Sequence, residues 1–296
     1  MEYLFKGLST AIVTPLNSEN KVDYSAFKKQ IDRQILCGAT ALVFLGTTGE
    51  SSTISLLERK EIVSFAVKYV NKRCKVIIGC GSNNTALAIK YAKYAESAGA
   101  DGILCVTPYY NKCTQQGIIE YYKDIAENTT LPIICYNVPS RTGVNILPET
   151  AGILASIKGI CGIKECSGDL KQVIETKKAI GDKIALYSGD DFLNLPILAV
   201  GGVGIISVIS NVIPRQVNDL LLAIDKDISL ANSLNEKMYP LIKAMFIEVN
   251  PCPVKYALKH LGLDSGYLRK PLLPLSKTNE KIIENALKDY LEKERV

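Results

Sequence analysis

A (β/α)8 barrel with a C-terminal helical appendage is the fold this sequence predicts, and three observations predict it. Eight short apolar runs recur up to about residue 225, each nearly continuous rather than alternating, as parallel strands covered on both faces must be. Segments of helical periodicity, several with cap residues, separate them. The alternative, a doubly wound open sheet, lacks its usual nucleotide fingerprint, because Gly79-Cys80-Gly81 has no third glycine.

In chain order the expected strands are Ser9–Thr14, Ala41–Leu45, Val76–Cys80, Gly102–Val106, Pro132–Tyr136, Gly159–Lys164, Ile184–Tyr187 and Val203–Val208. Asp23 can cap a helix in which Phe27, Ile31 and Ile35 share a face. Ser55-Leu56-Leu57-Glu58 has the form of a capping box, with Val63, Val67 and Val70 following. Asn84 precedes a helix whose Ala88, Ala92 and Ala95 stack for close packing, and Thr114 opens the next. Pro148 suits a first helical turn, and Gly181 stops the helix Lys171–Ile180. After about Asp225 the strands cease. Ser229–Val249, Pro251–Gly262 and Asn279–Glu294 read as helices, so the expected organisation is a catalytic barrel over 1–225 and a helical region over 226–296.

Composition removes several classes of function. A net charge of +5 with Lys and Glu intermixed offers no basic stripe, so nucleic acid is not an expected partner. The only histidine, His260, argues against His-based triads and multi-His metal sites, and it reads as a helix-surface or interface residue. Nine singly placed cysteines without a CxxC pair read as small buried hydrophobes in a reducing compartment, not as a disulfide framework or zinc site. The most apolar stretch, Leu195–Ile209, contains Pro196 and three glycines and is too short to span a bilayer. The expected location is cytoplasmic, with no membrane partner and no metal.

In a barrel of this kind the C-terminal strand ends converge on one mouth. The polar residues there are Thr14, Thr47, Thr48, Asn83, Thr107, Tyr109, Tyr110, Tyr136, Arg141, Lys164, Ser188, Gly189 and Ser207. A lysine buried at a strand end tends to lose its charge, and a neutral amine can attack a carbonyl to form an imine. A tyrosine can move protons, hydroxyls can hold a carboxylate, and an arginine at the rim can bind a second one. Taken singly, each residue also has a structural reading. Lys164 could pair with Glu165, Tyr136 could be a core aromatic, Arg141 a solvated loop residue, and Glu50 an exposed turn residue. Gly201-Gly202-Val203-Gly204 fits a phosphate turn or, more simply, close packing at a strand start.

Gly46-Thr47-Thr48-Gly49-Glu50-Ser51, Tyr136-Asn137-Val138-Pro139-Ser140-Arg141-Thr142-Gly143 and Gly162-Ile163-Lys164-Glu165 together carry a resemblance. So do Val106 to Asn111, Ser188 to Asp191 and Asn250 to Lys255. In order and over nearly the whole chain, these segments resemble the pyruvate-dependent class I aldolase family that includes N-acetylneuraminate lyase, and within it the dihydrodipicolinate synthase branch. The resemblance implies that Lys164 forms an imine with pyruvate and that Tyr136 shuttles protons. It implies that Tyr136 is linked through Thr47 to a Tyr110 reaching in from a neighbouring subunit. It places Thr48 on the pyruvate carboxylate, Arg141 on the carboxylate of L-aspartate 4-semialdehyde, and the Gly189 and Ile206 backbones at the site. The implied product is (2S,4S)-4-hydroxy-2,3,4,5-tetrahydrodipicolinate, on the diaminopimelate route to lysine, made without a cofactor by a homotetramer built as a dimer of dimers.

The alternative within the family is a sibling aldolase, a neuraminate or 2-keto-3-deoxy-sugar-acid lyase. The sialic-acid lyases lack an arginine corresponding to Arg141 and generally carry Gly-Ser-Thr-Gly where this chain has Gly46-Thr47-Thr48-Gly49. Lysine-inhibited members use polar or basic side chains and a glutamate where this chain has Leu56, Arg59 and Leu87, which implies weak or absent feedback by L-lysine.

Overall fold

The computed structural model describes residues 3–224 and 226–293. Its centre is a closed barrel of eight parallel strands: β1 (Gly7–Ala11), β2 (Ala41–Phe44), β3 (Lys75–Gly79), β4 (Gly102–Val106), β5 (Ile133–Asn137), β6 (Ile160–Glu165), β7 (Ala185–Ser188) and β8 (Gly204–Ser207). β8 closes on β1 in the register Gly7↔Gly204 to Thr10↔Ser207. Around it run α1 (Tyr24–Leu36), α2 (Leu56–Val70), α3 (Thr85–Ser97), α4 (Gln115–Ala126), α5 (Pro139–Thr142), α6 (Pro148–Leu154), α7 (Leu170–Ile180), α8 (Asn194–Ala199) and α9 (Pro214–Ile224). Then follow α10 (Ile228–Met245), α11 (Cys252–His260) and α12 (Lys277–Lys293). The expected boundary at Asp225 and the expected helix end at Glu294 lie outside the described residues.

The strands bury both faces, and alternation sorts their side chains. Val43, Ile77, Leu104, Ile134, Tyr136 and Tyr187 fill the barrel interior. Their neighbours Leu42, Phe44, Ile78, Ile103, Cys105 and Cys135 pack outward against the helices. Five cysteines, at 74, 80, 105, 135 and 252, are buried free thiols; Cys37, Cys113, Cys161 and Cys166 are partly exposed, contrary to the uniform expectation.

The caps form as the sequence predicts. Asp23 accepts from Ser25 and Ala26 N–H, Asn84 from Leu87, and Thr114 from Gly117. Ser55 and Glu58 close a reciprocal capping box, with bonds of 3.3 and 2.9 Å. The first strand begins two residues and ends three residues earlier than expected. Gly7, at φ +87, begins it; beyond Ala11, Ile12 N–H still donates to Val43 O at 3.1 Å, and the Thr14 hydroxyl donates to Gly49 O at 2.8 Å. Close packing is the correct reading of the glycine run. A Cβ at Gly204 would lie 2.6 Å from Gly7 O, and one at Gly202 2.7 Å from Ile197 O.

Glu50 is not the exposed turn residue that its local sequence suggests. It is buried and pairs with Lys255 of α11 at 2.8 Å, while Lys255 also donates to Thr14 O at 3.0 Å. The Arg269 N–H donates to the other Glu50 oxygen at 3.0 Å, and the Arg269 guanidinium pairs with Glu58. This network fastens the C-terminal helices to the β2–α2 loop. No helix among the described residues is long and apolar enough to cross a membrane.

Candidate active site

Period-two alternation along β6 aims Gly162, Lys164 and then Cys166 toward the barrel interior, and Ile163 and Glu165 the other way. Lys164 is 5% exposed. Burial lowers its pKa below the ordinary 10.5; Cys166 and Asp191 oppose that shift and Arg141 adds to it. The pairing with Glu165 does not occur. Glu165 accepts instead from Ser167 N–H at 2.6 Å and from the Asn137 amide at 3.1 Å.

Tyr136 lies directly across from Lys164 in the β5–β6 register, and the amine stands 4.3 Å from the centre of its ring. Burial drives the phenol well above the ordinary 10.0; Cys166 adds to that shift, and Arg141 and Thr47 oppose it. The core-aromatic reading is incomplete: Tyr136 packs in the interior cluster and also lines a cavity.

That cavity, of about 220 Å³, is lined by Thr47, Thr48, Tyr136, Arg141, Lys164 and Gly189, six of the eight residues expected at the site. Gly189 is there for space. A Cβ on it would fall 2.3 Å from Lys164 Cε and 2.3 Å from Cys166 Sγ. Arg141 is an exposed rim residue whose guanidinium donates to Asn250 O at 3.3 Å.

The other two do not line this cavity. Ile206 is fully buried in the interior cluster, and Val208, farther along the chain, lines the cavity instead. Tyr110, at φ +74, is 89% exposed and does not reach the cavity of its own chain, as a residue expected to serve a neighbouring subunit need not. Of the remaining strand-end residues, Ser207 receives Ser210 N–H and Ser188 donates to Asp190 O, both as turn bonds. Thr107 is buried with its hydroxyl unpaired.

Sequence reasoning missed five residues in the walls. Asn250 donates from its amide to Thr48 Oγ1 at 2.9 Å, fixing the hydroxyl across 202 residues of chain. Asp190 and Cys166 add a carboxyl and a thiol, and Phe192 and Phe246 close the outer side. Nearby Asp191 is buried and accepts from Val208 and Ile209 N–H at 2.8 Å, clamping the β8 exit. Asn250 and the two aspartates stand in recognisable motifs, but nothing local assigns them a partner.

A buried amine with a lowered pKa, a proton-bearing phenol and a rim guanidinium around a small cavity can do imine chemistry on a keto acid. Comparison with known proteins agrees. The family model described as the dihydrodipicolinate synthetase family matches residues 4–290. The chain belongs to this family.

A curated 4-hydroxy-tetrahydrodipicolinate synthase from Thermodesulfovibrio yellowstonii is 49% identical over 286 residues, covering 96% of this chain and 98% of the relative. The crystal structure of dihydrodipicolinate synthase from Thermotoga maritima is 42% identical with a TM-score of 0.94, covering 97% of this chain and 99% of that one. The chloride-inhibited dihydrodipicolinate synthase from Acinetobacter baumannii, solved with pyruvate, is 41% identical with a TM-score of 0.94, covering 96% and 98%.

Beside the first cavity this family member has a second, of about 440 Å³, sharing Thr47, Val138 and Arg141 with it. Ser51, Asn83, Tyr109, Arg59 and Leu87 line it. The Arg59 guanidinium is already committed, donating to Gly79 O at 2.7 Å and stacking 4.0 Å from the Tyr91 ring centre. Leu56 lies outside this cavity, in a neighbouring surface groove.

Proposed function

We propose that the chain is a 4-hydroxy-tetrahydrodipicolinate synthase, a lyase that condenses pyruvate with L-aspartate 4-semialdehyde. The observation that carries the reading is the buried Lys164 amine, held over Tyr136 in a cavity whose rim bears Arg141. Lys164 Nζ attacks the pyruvate carbonyl, and loss of water gives the imine. Thr48, held by Asn250, receives the pyruvate carboxylate. Removing a methyl proton gives an enamine, whose carbon attacks the aldehyde. The amino group of the second substrate then displaces Lys164, closing the ring and returning the amine. Tyr136 carries protons in these steps and Thr47 orients its hydroxyl. Arg141 binds the carboxylate of the aldehyde substrate, and the Gly189 and Ile206 backbones are assigned to the site.

A small keto acid matches the modest cavity, and Arg141 favours this aldehyde over the sugar acids of sibling lyases. A panel of aldehydes with pyruvate tests the assignment. Faster turnover with a sugar-acid aldehyde than with L-aspartate 4-semialdehyde would move the chain to the sibling class.

Tyr136→Phe is expected to lower kcat by about 10²-fold or more while pyruvate still binds, since a positioned acid–base group contributes roughly 10²–10⁴-fold. Wild-type turnover in that variant would remove Tyr136 from the proton relay. Gly189→Ala is expected to push Lys164 aside and slow imine trapping on the order of 10²-fold, the penalty of an ångström-scale misplacement.

The exposed Tyr110 supports self-association in which it completes a neighbour's Thr47–Tyr136 relay, and the tetramer of two such dimers is the proposed assembly. Sedimentation of the wild type and of Tyr110→Ala tests it. L-Lysine is expected to inhibit weakly or not at all, because Leu87 in the second cavity cannot accept from its ammonium groups. Strong inhibition below about 1 mM would overturn this, that being the affinity range in which binding contributes more than about 4 kcal/mol.

A further inference from the structure

Asp190 is the only carboxyl among the residues lining the first cavity, which it shares with two basic side chains, Lys164 and Arg141. It directly follows Gly189, whose missing Cβ would lie 2.3 Å from Lys164 Cε, so it leaves the backbone beside the reactive amine. The Asp190 turn is held at two points. Ser188 Oγ donates to its carbonyl at 3.1 Å, and its Oδ1 accepts from Phe192 N–H at 3.0 Å. Phe192 packs in turn on Phe246, with ring centres 5.5 Å apart. The carboxyl is partly buried, and among the described residues it enters no ion pair. One oxygen is committed to the turn, and the mechanism above gives the other no task.

We propose that Asp190 is a specificity-determining residue whose Oδ2 receives the ammonium group of the second substrate. This rests on the reading of that substrate as L-aspartate 4-semialdehyde, which brings a carboxylate, an ammonium and an aldehyde. Arg141 takes the carboxylate and the enamine takes the aldehyde. An ammonium entering a cavity that already holds a lysine and an arginine needs an anion beside it, and Asp190 is the one the walls offer. Burial raises the pKa of this carboxyl, and a bound ammonium opposes that shift. The placement also suits the last step, in which the substrate nitrogen must reach the carbon that Lys164 releases. An aldehyde without the amino group cannot form this ion pair and leaves the carboxylate unpaired in the cavity.

The test loads the enzyme with pyruvate, removes the excess, and adds either L-aspartate 4-semialdehyde or 4-oxobutanoate, the same aldehyde without its amino group. Borohydride quenching and intact mass then follow how fast the adduct of pyruvate mass disappears. The wild type is expected to favour the amino aldehyde by about 10–100-fold, the range of a hydrogen bond between charged groups. Asp190→Asn keeps an oxygen for the Phe192 N–H and removes the charge, and its preference is expected to fall about tenfold or more. Because the ratio is taken on the preformed imine, an effect on pyruvate binding cancels. An unchanged preference in Asp190→Asn would overturn the inference, even where Asp190→Ala loses it, since that pattern marks the turn bond alone. A wild type that consumes both aldehydes at one rate would overturn it without any variant. A wild-type imine that L-aspartate 4-semialdehyde does not consume would overturn the substrate reading, and this inference with it.

Discussion

Lys164→Ala is expected to abolish the pyruvate adduct trapped by borohydride and to lower kcat/KM by roughly 10²–10⁴-fold, about 3–5 kcal/mol of transition-state stabilisation. The reason is specific to the site. Lys164 is the amine that lines the cavity, it faces Tyr136 at 4.3 Å, and Glu165 is turned away from it. Peptide mapping of the wild-type adduct checks the assignment, and a pyruvate label on any other lysine would overturn it. The sign of the pH dependence follows from burial. Desolvation penalises the ammonium, so the folded pKa lies below 10.5. Imine formation should rise with pH through that lowered value and level off at a lower pH than for a free lysine. The variant should fold at least as well as the wild type, because a desolvated amine is unfavourable in the folded state.

Lys255→Met is expected to destabilise the fold by about 3–5 kcal/mol, the cost of leaving a buried charge without its partner. Lys255 and Glu50 have fully buried side chains 2.8 Å apart. With the ammonium gone, Glu50 keeps only the Arg269 N–H among its bonds in this network. Pairing the change with Glu50→Gln is expected to recover part of the loss, since the uncompensated carboxylate disappears. Urea unfolding of the single and double variants measures both effects. A loss below about 1 kcal/mol in the single variant would show that the pair behaves as an exposed one. Glu50 follows Thr47-Thr48-Gly49 directly, so Lys255→Met should also weaken pyruvate binding through the Thr48 loop, without altering which lysine is trapped.

The strands were legible because a parallel barrel strand is covered on both faces and leaves a continuous apolar run. The caps were legible because Asp23, Ser55, Asn84 and Thr114 bond within three residues of themselves. The first strand was shifted because Gly7 carries no apolar signal and Ile12-Val13 carries a strong one in a loop. Helices α5 and α8 were missed for a related reason. One is a single turn beginning at Pro139, and the other lies inside an apolar stretch that also contains β8.

The site divides in the same way. Composition and strand-end position were enough to bring Lys164, Tyr136, Arg141, Thr47 and Thr48 to one mouth, since closing the barrel leaves those ends nowhere else to go. What each side chain meets there was decided by contacts between distant parts of the chain. Asn250 fixes Thr48, Lys255 neutralises Glu50, and Gly189 makes room for Lys164 and Cys166 together. Periodicity and capping act over a few residues and can be read in order. A hydrogen bond across 202 residues forms only once the C-terminal helices have folded back over the barrel. The sequence by itself determined the barrel and its reactive amine; the tertiary structure decided the burial that lowers that amine's pKa and the contacts that shape the cavity around it.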